Sequence, residues 1–158
     1  MDILVQDGLK KERQMPRIIA IKEVGEPLRF EYTDKKYRTE CVQEYIGKEN
    51  YTEFVSLSSD RLFSLGVDEE GLPKELPVNF FIATHSKHFP IQKMVGTVVF
   101  TRVKPVDGLQ EIWDYELDDL RIDDAISLLS ILDNGYQKYL ESTFNDYGKG
   151  HVVLEKIF

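Results

Sequence analysis

The chain has 158 residues, 42 % of them hydrophobic and 30 % charged, with a formal net charge of −8 at pH 7. These proportions exclude a low-complexity or disordered chain, and the length suits one domain that buries roughly 70 % of its unfolded surface. The acidic balance excludes a general nucleic-acid binder, which would carry a basic stripe.

Residues 1–16 read as a flexible N-terminal arm ahead of a single α+β domain over 17–158. The arm, MDILVQDGLKKERQMP, has no long apolar core or small-residue cleavage site of a signal peptide. RIIAIKEV (17–24) has the β-branched composition of a strand, and a turn over Gly25-Glu26-Pro27 leads into LRFEY (28–32) as its hairpin partner. TECVQEYIG (39–47) places Val42, Tyr45 and Ile46 on one helical face, with Thr39 as N-cap and Gly47 as terminator. YTEFVSL (51–57) and RLFSLGV (61–67) read as two strands joined at Ser58, Ser59 and Asp60. In EEGLPKELPVN (69–79), Pro73 and Pro77 fix their own φ and bias Leu72 and Leu76 toward extended backbone, predicting a stiff connection with both leucines as apolar anchors. NFFIAT (79–84) is a short apolar run, and GTVVFTRV (96–103) carries the clearest strand signal. Asp107-Gly108 predicts a tight hairpin that folds EIWDYEL (111–117) back onto it. That arrangement puts Trp113, Tyr115 and Leu117 on an apolar face and Asp114, Glu116 and Asp118 on the exposed one. From Asp123 to Phe144 the apolar residues keep helical spacing, with Gly135 a candidate kink. HVVLEKIF (151–158) reads as a final strand. The fold class expected is α+β, a mixed or antiparallel sheet of about six or seven strands with one short and one long helix.

Chemistry is sparse. His85 and His88 lack the further ligands zinc needs, and Ser86 is not in a nucleophile elbow. No phosphate-binding glycine loop is present, and Cys41, the one cysteine, reads as a buried small hydrophobe in a reducing compartment. No apolar run reaches the ~20 residues of a membrane helix. The expectation is therefore no catalytic residue, no metal, no cofactor and no membrane partner, with a cytoplasmic location in a bacterial host. What stands out is EIWDYELDDLRIDD (111–124), where seven acids face Arg121 alone. Asp118, Asp119, Asp123 and Asp124 suit the start of the long helix, where the helix dipole favours negative charge, and paired they also suit Mg²⁺. Glu111, Asp114 and Glu116 precede it, and together the seven make a candidate acidic surface for a basic partner.

Glu70-Gly71-Leu72-Pro73, followed by Asn79 and Gly96-Thr97, resembles the shared core of a family of uncharacterised short proteins of phages, plasmids and conjugative elements. The resemblance covers about residues 17–103, including Val24-Gly25-Glu26-Pro27, Val42-Gln43-Glu44-Tyr45-Ile46-Gly47 and Glu53-Phe54-Val55, and ends before the acidic arm. It implies an accessory protein of a mobile element with an anti-CRISPR-like role. Such a protein would present Glu111, Trp113, Asp114, Glu116, Asp118, Asp119, Asp123 and Asp124 to the nucleic-acid groove of a host defence protein, a Cas9-type nuclease or its guide complex being the favoured target. Two other readings stay open. One is a binder of a nucleotide signal that uses Phe80, Phe81, Phe89 and Trp113 to stack a base, with Lys87, Lys93 and Arg102 for its phosphates. The other is a metal-dependent nuclease built on the paired aspartates.

Overall fold

A computed structural model describes residues 15–22, 26, 28–83, 91–108 and 113–147. The N-terminal arm, most of the turn over 24–27, His85, Ser86, His88, Phe89, Glu111 and the expected last strand lie outside the described residues. The protein is α+β. Its strands are β1 (Arg17–Ile21), β2 (Glu31–Tyr32), β3 (Thr52–Ser56), β4 (Phe63–Asp68), β5 (Val78–Ala83), β6 (Ile91–Val95), β7 (Val98–Val103) and β8 (Leu117–Asp118). Its helices are α1 (Arg38–Ile46) and α2 (Ile122–Tyr147). Five strands form an antiparallel sheet in the order β2-β1-β7-β4-β3, and β8 joins the end of β7 beyond the stretch paired with β1. β5 and β6 make a separate antiparallel pair. No helix among the described residues is long and apolar enough to cross a membrane.

β4 and β7 are buried along their whole length, because the sheet is covered on both faces. A strand covered on both faces loses the polar-out alternation and reads as a continuous apolar run, as VVFTRV nearly does. On one face Ile19, Ile21, Phe63, Leu65, Phe100 and Val98 pack with Phe80 and Ile82 of the β5–β6 pair and with Leu128 and Leu132 of α2. Phe80 stacks on Phe100 with ring centroids 5.8 Å apart. On the other face Cys41 and Val42 of α1 pack on Ile18, Val99 and Val103. α1 comes close because β4 offers small residues there: a Cβ on Gly66 would sit 2.9 Å from both Phe54 and Val42 side-chain carbons.

Several expectations need correction. α1 starts two residues early, with Tyr37 in the N-cap position and no capping side chain of its own, so Thr39 is not the cap. The double-proline stretch is wound, not extended. Lys74 N–H donates to the Glu70 carbonyl and Leu76 N–H to the Gly71 carbonyl, at 3.1 Å each. Leu72 is 59 % exposed and anchors nothing, whereas Leu76 packs against Gly71 and Gly96. IQKMV, unmarked in the sequence by any clear alternation, is β6. Finally, α2 runs through Gly135 without a break.

Burial pushes the Cys41 thiol up from its ordinary 9.0 to about 11, beyond the opposing hydrogen bond with Thr33. A thiol kept neutral in the folded state supports the fold fully below pH 9 and loses that support as pH rises toward 11. The melting temperature is therefore expected to fall over pH 9–11, and Cys41→Ala should flatten this limb. An unchanged slope in the variant would contradict the burial of Cys41.

Candidate functional site

The acidic arm does not form the tight hairpin expected. A two-residue turn at Asp107-Gly108 would set Val103 opposite Ile112, but Val103 stands opposite Leu117 and Arg102 opposite Asp118. The arm instead enters between the end of β7 and the start of α1. Lys104 N–H donates to the Glu116 carbonyl at 2.9 Å, Leu117 N–H to the Lys36 carbonyl at 2.8 Å, and Arg38 N–H to the Tyr115 carbonyl at 2.8 Å.

This register decides what each acid does. The Thr39 amide donates to both carboxylate oxygens of Asp114, at 3.0 Å each. Asp114 thus satisfies an orphan donor at the start of α1 from 75 residues away, a cap supplied by another segment. Glu116 accepts from Lys104 Nζ at 2.6 Å. Asp118 Oδ1 accepts the amide of Asp119 at 2.8 Å. Asp119 forms a fork with Arg17, with Nε–Oδ1 and Nη2–Oδ2 both at 3.0 Å. Asp124, 7 % exposed, accepts from Arg102 Nη1 at 2.8 Å and from the Arg121 amide at 3.0 Å. That second bond is the return half of a capping box at the start of α2. Asp123 sits exposed in the same first turn. The block is thus chiefly a set of internal ties, and Asp114, Glu116 and Asp118 are not a free acidic face.

Trp113 is the second correction. Placed by alternation on the apolar side with Tyr115 and Leu117, it is fully exposed, at 100 %. Leu117 is buried and Tyr115 is half-exposed. Period-two alternation holds only where a strand is paired; the ladder with β7 ends at Leu117, and beyond it the arm makes one isolated bridge, Glu116 with Tyr37. Phe80 and Phe81, candidate base-stacking residues, are core residues buried to 2 % and 6 %. Arg102 is buried in its ion pairs.

Since Trp113 touches no core and Asp114 caps a helix, their substitutions should separate. Trp113→Ala is expected to change stability by less than about 0.5 kcal/mol. Asp114→Ala should cost about 1 kcal/mol, the usual worth of a cap. Urea unfolding of both variants checks the ordering, and the reverse order would contradict the arm's placement.

Two clefts flank α1. One, of about 590 Å³, gathers residues of the sequence motif at the seam between the two sheets, with Asn79, Gly96 and Thr97 beside Lys22, Tyr45 and Lys74. Asn79 Nδ2 donates to the carbonyls of Ile21 and Gly96, at 2.8 and 3.0 Å, and so ties β1 to the β5–β6 pair. Gly96 has φ of 71°, which a residue with a Cβ rarely adopts. Of the remaining motif residues, Gly71 is buried against Val95, whereas Glu70, Leu72 and Pro73 are exposed. Gly71, Asn79 and Gly96 therefore have structural tasks. The other cleft, about 330 Å³, lies beside the arm and includes Arg38, Arg61, Lys104 and Tyr115. Arg38 lies between two rings, 3.8 Å from the Phe54 centroid and 4.7 Å from that of Tyr115. Burial holds its guanidinium below the ordinary arginine value, against the pull of the Asp114 carboxylate and Tyr115.

Among the described residues no group of three or more histidine, cysteine or carboxylate side chains is placed to hold a metal ion. Compared with family models, curated proteins and solved structures, the chain matches none.

Proposed function

We propose that the protein is a non-enzymatic interaction protein of a mobile element that inhibits a host defence nuclease, with the arm around Trp113 as its docking element. The observation that carries this reading is a fully exposed tryptophan on a segment fixed at its base. Exposing an indole to water forgoes a large apolar burial, and tryptophan leads the residue types that dominate binding energy at interfaces. The arm is held before any partner arrives, by Asp114 on α1, by the pairing of Leu117 with Val103, and by Asp119 on Arg17. A pre-ordered anchor avoids part of the ordering cost of binding. The nuclease target, of Cas9 type, rests on the resemblance of residues 17–103 and on the overall acidity, which would favour encounter with a basic groove.

The test is a DNA-cleavage assay with a panel of guided nucleases, with and without the protein, at two salt concentrations. Inhibition is expected, with Trp113→Ala weakening it at least about 30-fold, as a hot-spot residue does. Asp118→Asn with Asp123→Asn, which spares the ties of Asp114 and Asp124, should weaken it less and chiefly at low salt. Full cleavage across the panel would dismiss the nuclease target. A Trp113→Ala variant as potent as the parent would dismiss the arm as the docking element.

A further inference from the structure

We propose that the cleft between the start of α1, the β3–β4 turn and the arm is a binding site for a small organic anion, a phosphate monoester or carboxylate of mononucleotide size. Its volume of about 330 Å³ falls within the range of small-ligand sites. Three cations line it, Arg38, Arg61 and Lys104, with Asp60 as the one acid in the lining. In a chain of net charge −8 this lining carries more cations than acids.

The acids nearby are already engaged. Asp60 Oδ1 accepts from the Ser58 hydroxyl and the Leu62 amide, and its Oδ2 from Arg102. Those bonds hold its carboxyl below the ordinary range, so it stays an occupied anion. Asp114 is bound to the Thr39 and Tyr115 amides, and Glu116 to Lys104. Among the cations, Arg61 has no side-chain partner among the described residues and is exposed. Its φ of 65° is unusual for a residue with a side chain. Such backbone outliers concentrate where a site is held in place. The turn keeps it there through the Arg61 N–H bond to the Ser58 carbonyl, 3.0 Å.

Arg38 supplies the fixed half of the site. Its two flanking rings lock the guanidinium plane, and its one side-chain hydrogen bond among the described residues, Nη1 to Ser64 Oγ, is long at 3.3 Å. Its Nε is buried without a hydrogen-bond partner. Burial lowers its pKa despite Asp114, so its charge is under-compensated and an incoming anion would relieve it. The ligand's oxyanion would meet Arg61 and the outer edge of Arg38, and its body would lie against Tyr115, Leu62 and Val106. The proposal does not rest on Trp113 docking.

The test is calorimetric titration and thermal melting of the whole protein with four probes: inorganic phosphate, adenosine monophosphate, adenosine and succinate. Saturable binding of the monophosphate or of succinate is expected, weakening as salt rises, and whichever of the two binds identifies the source of the oxyanion. Arg61→Gly, compatible with the left-handed backbone, should weaken that binding about tenfold and leave the melting temperature of the free protein within a few degrees. Arg38→Lys, which keeps the charge and loses the planar stack, should weaken it as well. Adenosine binding as well as its monophosphate, no saturable binding of any probe at millimolar concentration, or undiminished binding by Arg61→Gly would each overturn the proposal.

Discussion

Replacing Gly135 by alanine is expected to cost about 3 kcal/mol or more, although in a free helix the same change would gain about 1 kcal/mol. The helix lies on the backbone of β5 at this residue. A Cβ there would fall 1.7 Å from the carbonyl oxygen of Phe81, 2.4 Å from its carbon and 2.8 Å from the Ile82 Cα. None of these is the flexible end of a side chain, so α2 or β5 must move as a body. That movement would separate Leu128 and Leu132 from Phe80 and Ile82, which share one apolar cluster. Against a typical total of 5–15 kcal/mol, such a loss leaves a large unfolded fraction on warming. Asn134→Ala, at the exposed neighbouring position, should be neutral or slightly stabilising. Urea unfolding of the two variants gives the comparison, and a neutral Gly135→Ala would mean that α2 does not rest on β5.

The second large effect is expected at the ion pair beneath α2. Arg102 and Asp124 are 6 % and 7 % exposed and meet at 2.8 Å. Removing one partner of a buried pair leaves the other charge desolvated, and Asp124→Ala should cost about 3–5 kcal/mol. The variant loses the capping bond to the Arg121 amide at the same time. A joint change of Arg102→Met and Asp124→Leu should restore much of that loss, because two apolar side chains of similar volume carry no desolvation penalty. Asp60, the outer partner of Arg102, has its side chain half in water, and Asp60→Asn should change stability far less. If the double variant is no better than Asp124→Ala, the loss lies in the cap and not in the stranded arginine.

How far the sequence reveals this protein depends on whether a residue's partner is near it in the chain. β7 is legible because burial on both faces makes it an uninterrupted apolar run. α1 and the β3–β4 hairpin are legible from local periodicity and turn residues. Asp114 is not, because the amide it caps belongs to Thr39. Trp113 is misplaced by a pattern that assumes strand pairing as far back as residue 111, whereas the ladder with β7 begins at Leu117 and the last bridge of the arm is at Glu116. Gly135 reads as a weak point of a helix, and only the carbonyl of Phe81 shows it to be a contact that admits no side chain. The 330 Å³ cleft draws Arg38, Arg61 and Lys104 from three segments, none of them remarkable in its own neighbourhood. The acidic block is conspicuous in sequence, yet its conspicuous charge is largely consumed in holding the arm and both helices.

The position of β7 between β1 and β4 has a bearing on how the chain is made. Those two strands precede β7 and have no hydrogen bonds to each other, since β7 fills the gap between them. A nascent chain that has emerged only as far as residue 97 holds the β3–β4 hairpin and the β1–β2 pair as separate pieces, each with an open edge on its inner side. Unpaired edges of this kind recruit strands from other chains. Translation pauses, or truncations, that expose residues up to 97 without 98–103 should therefore be the most aggregation-prone stage of synthesis, and the arrival of six more residues closes both edges at once.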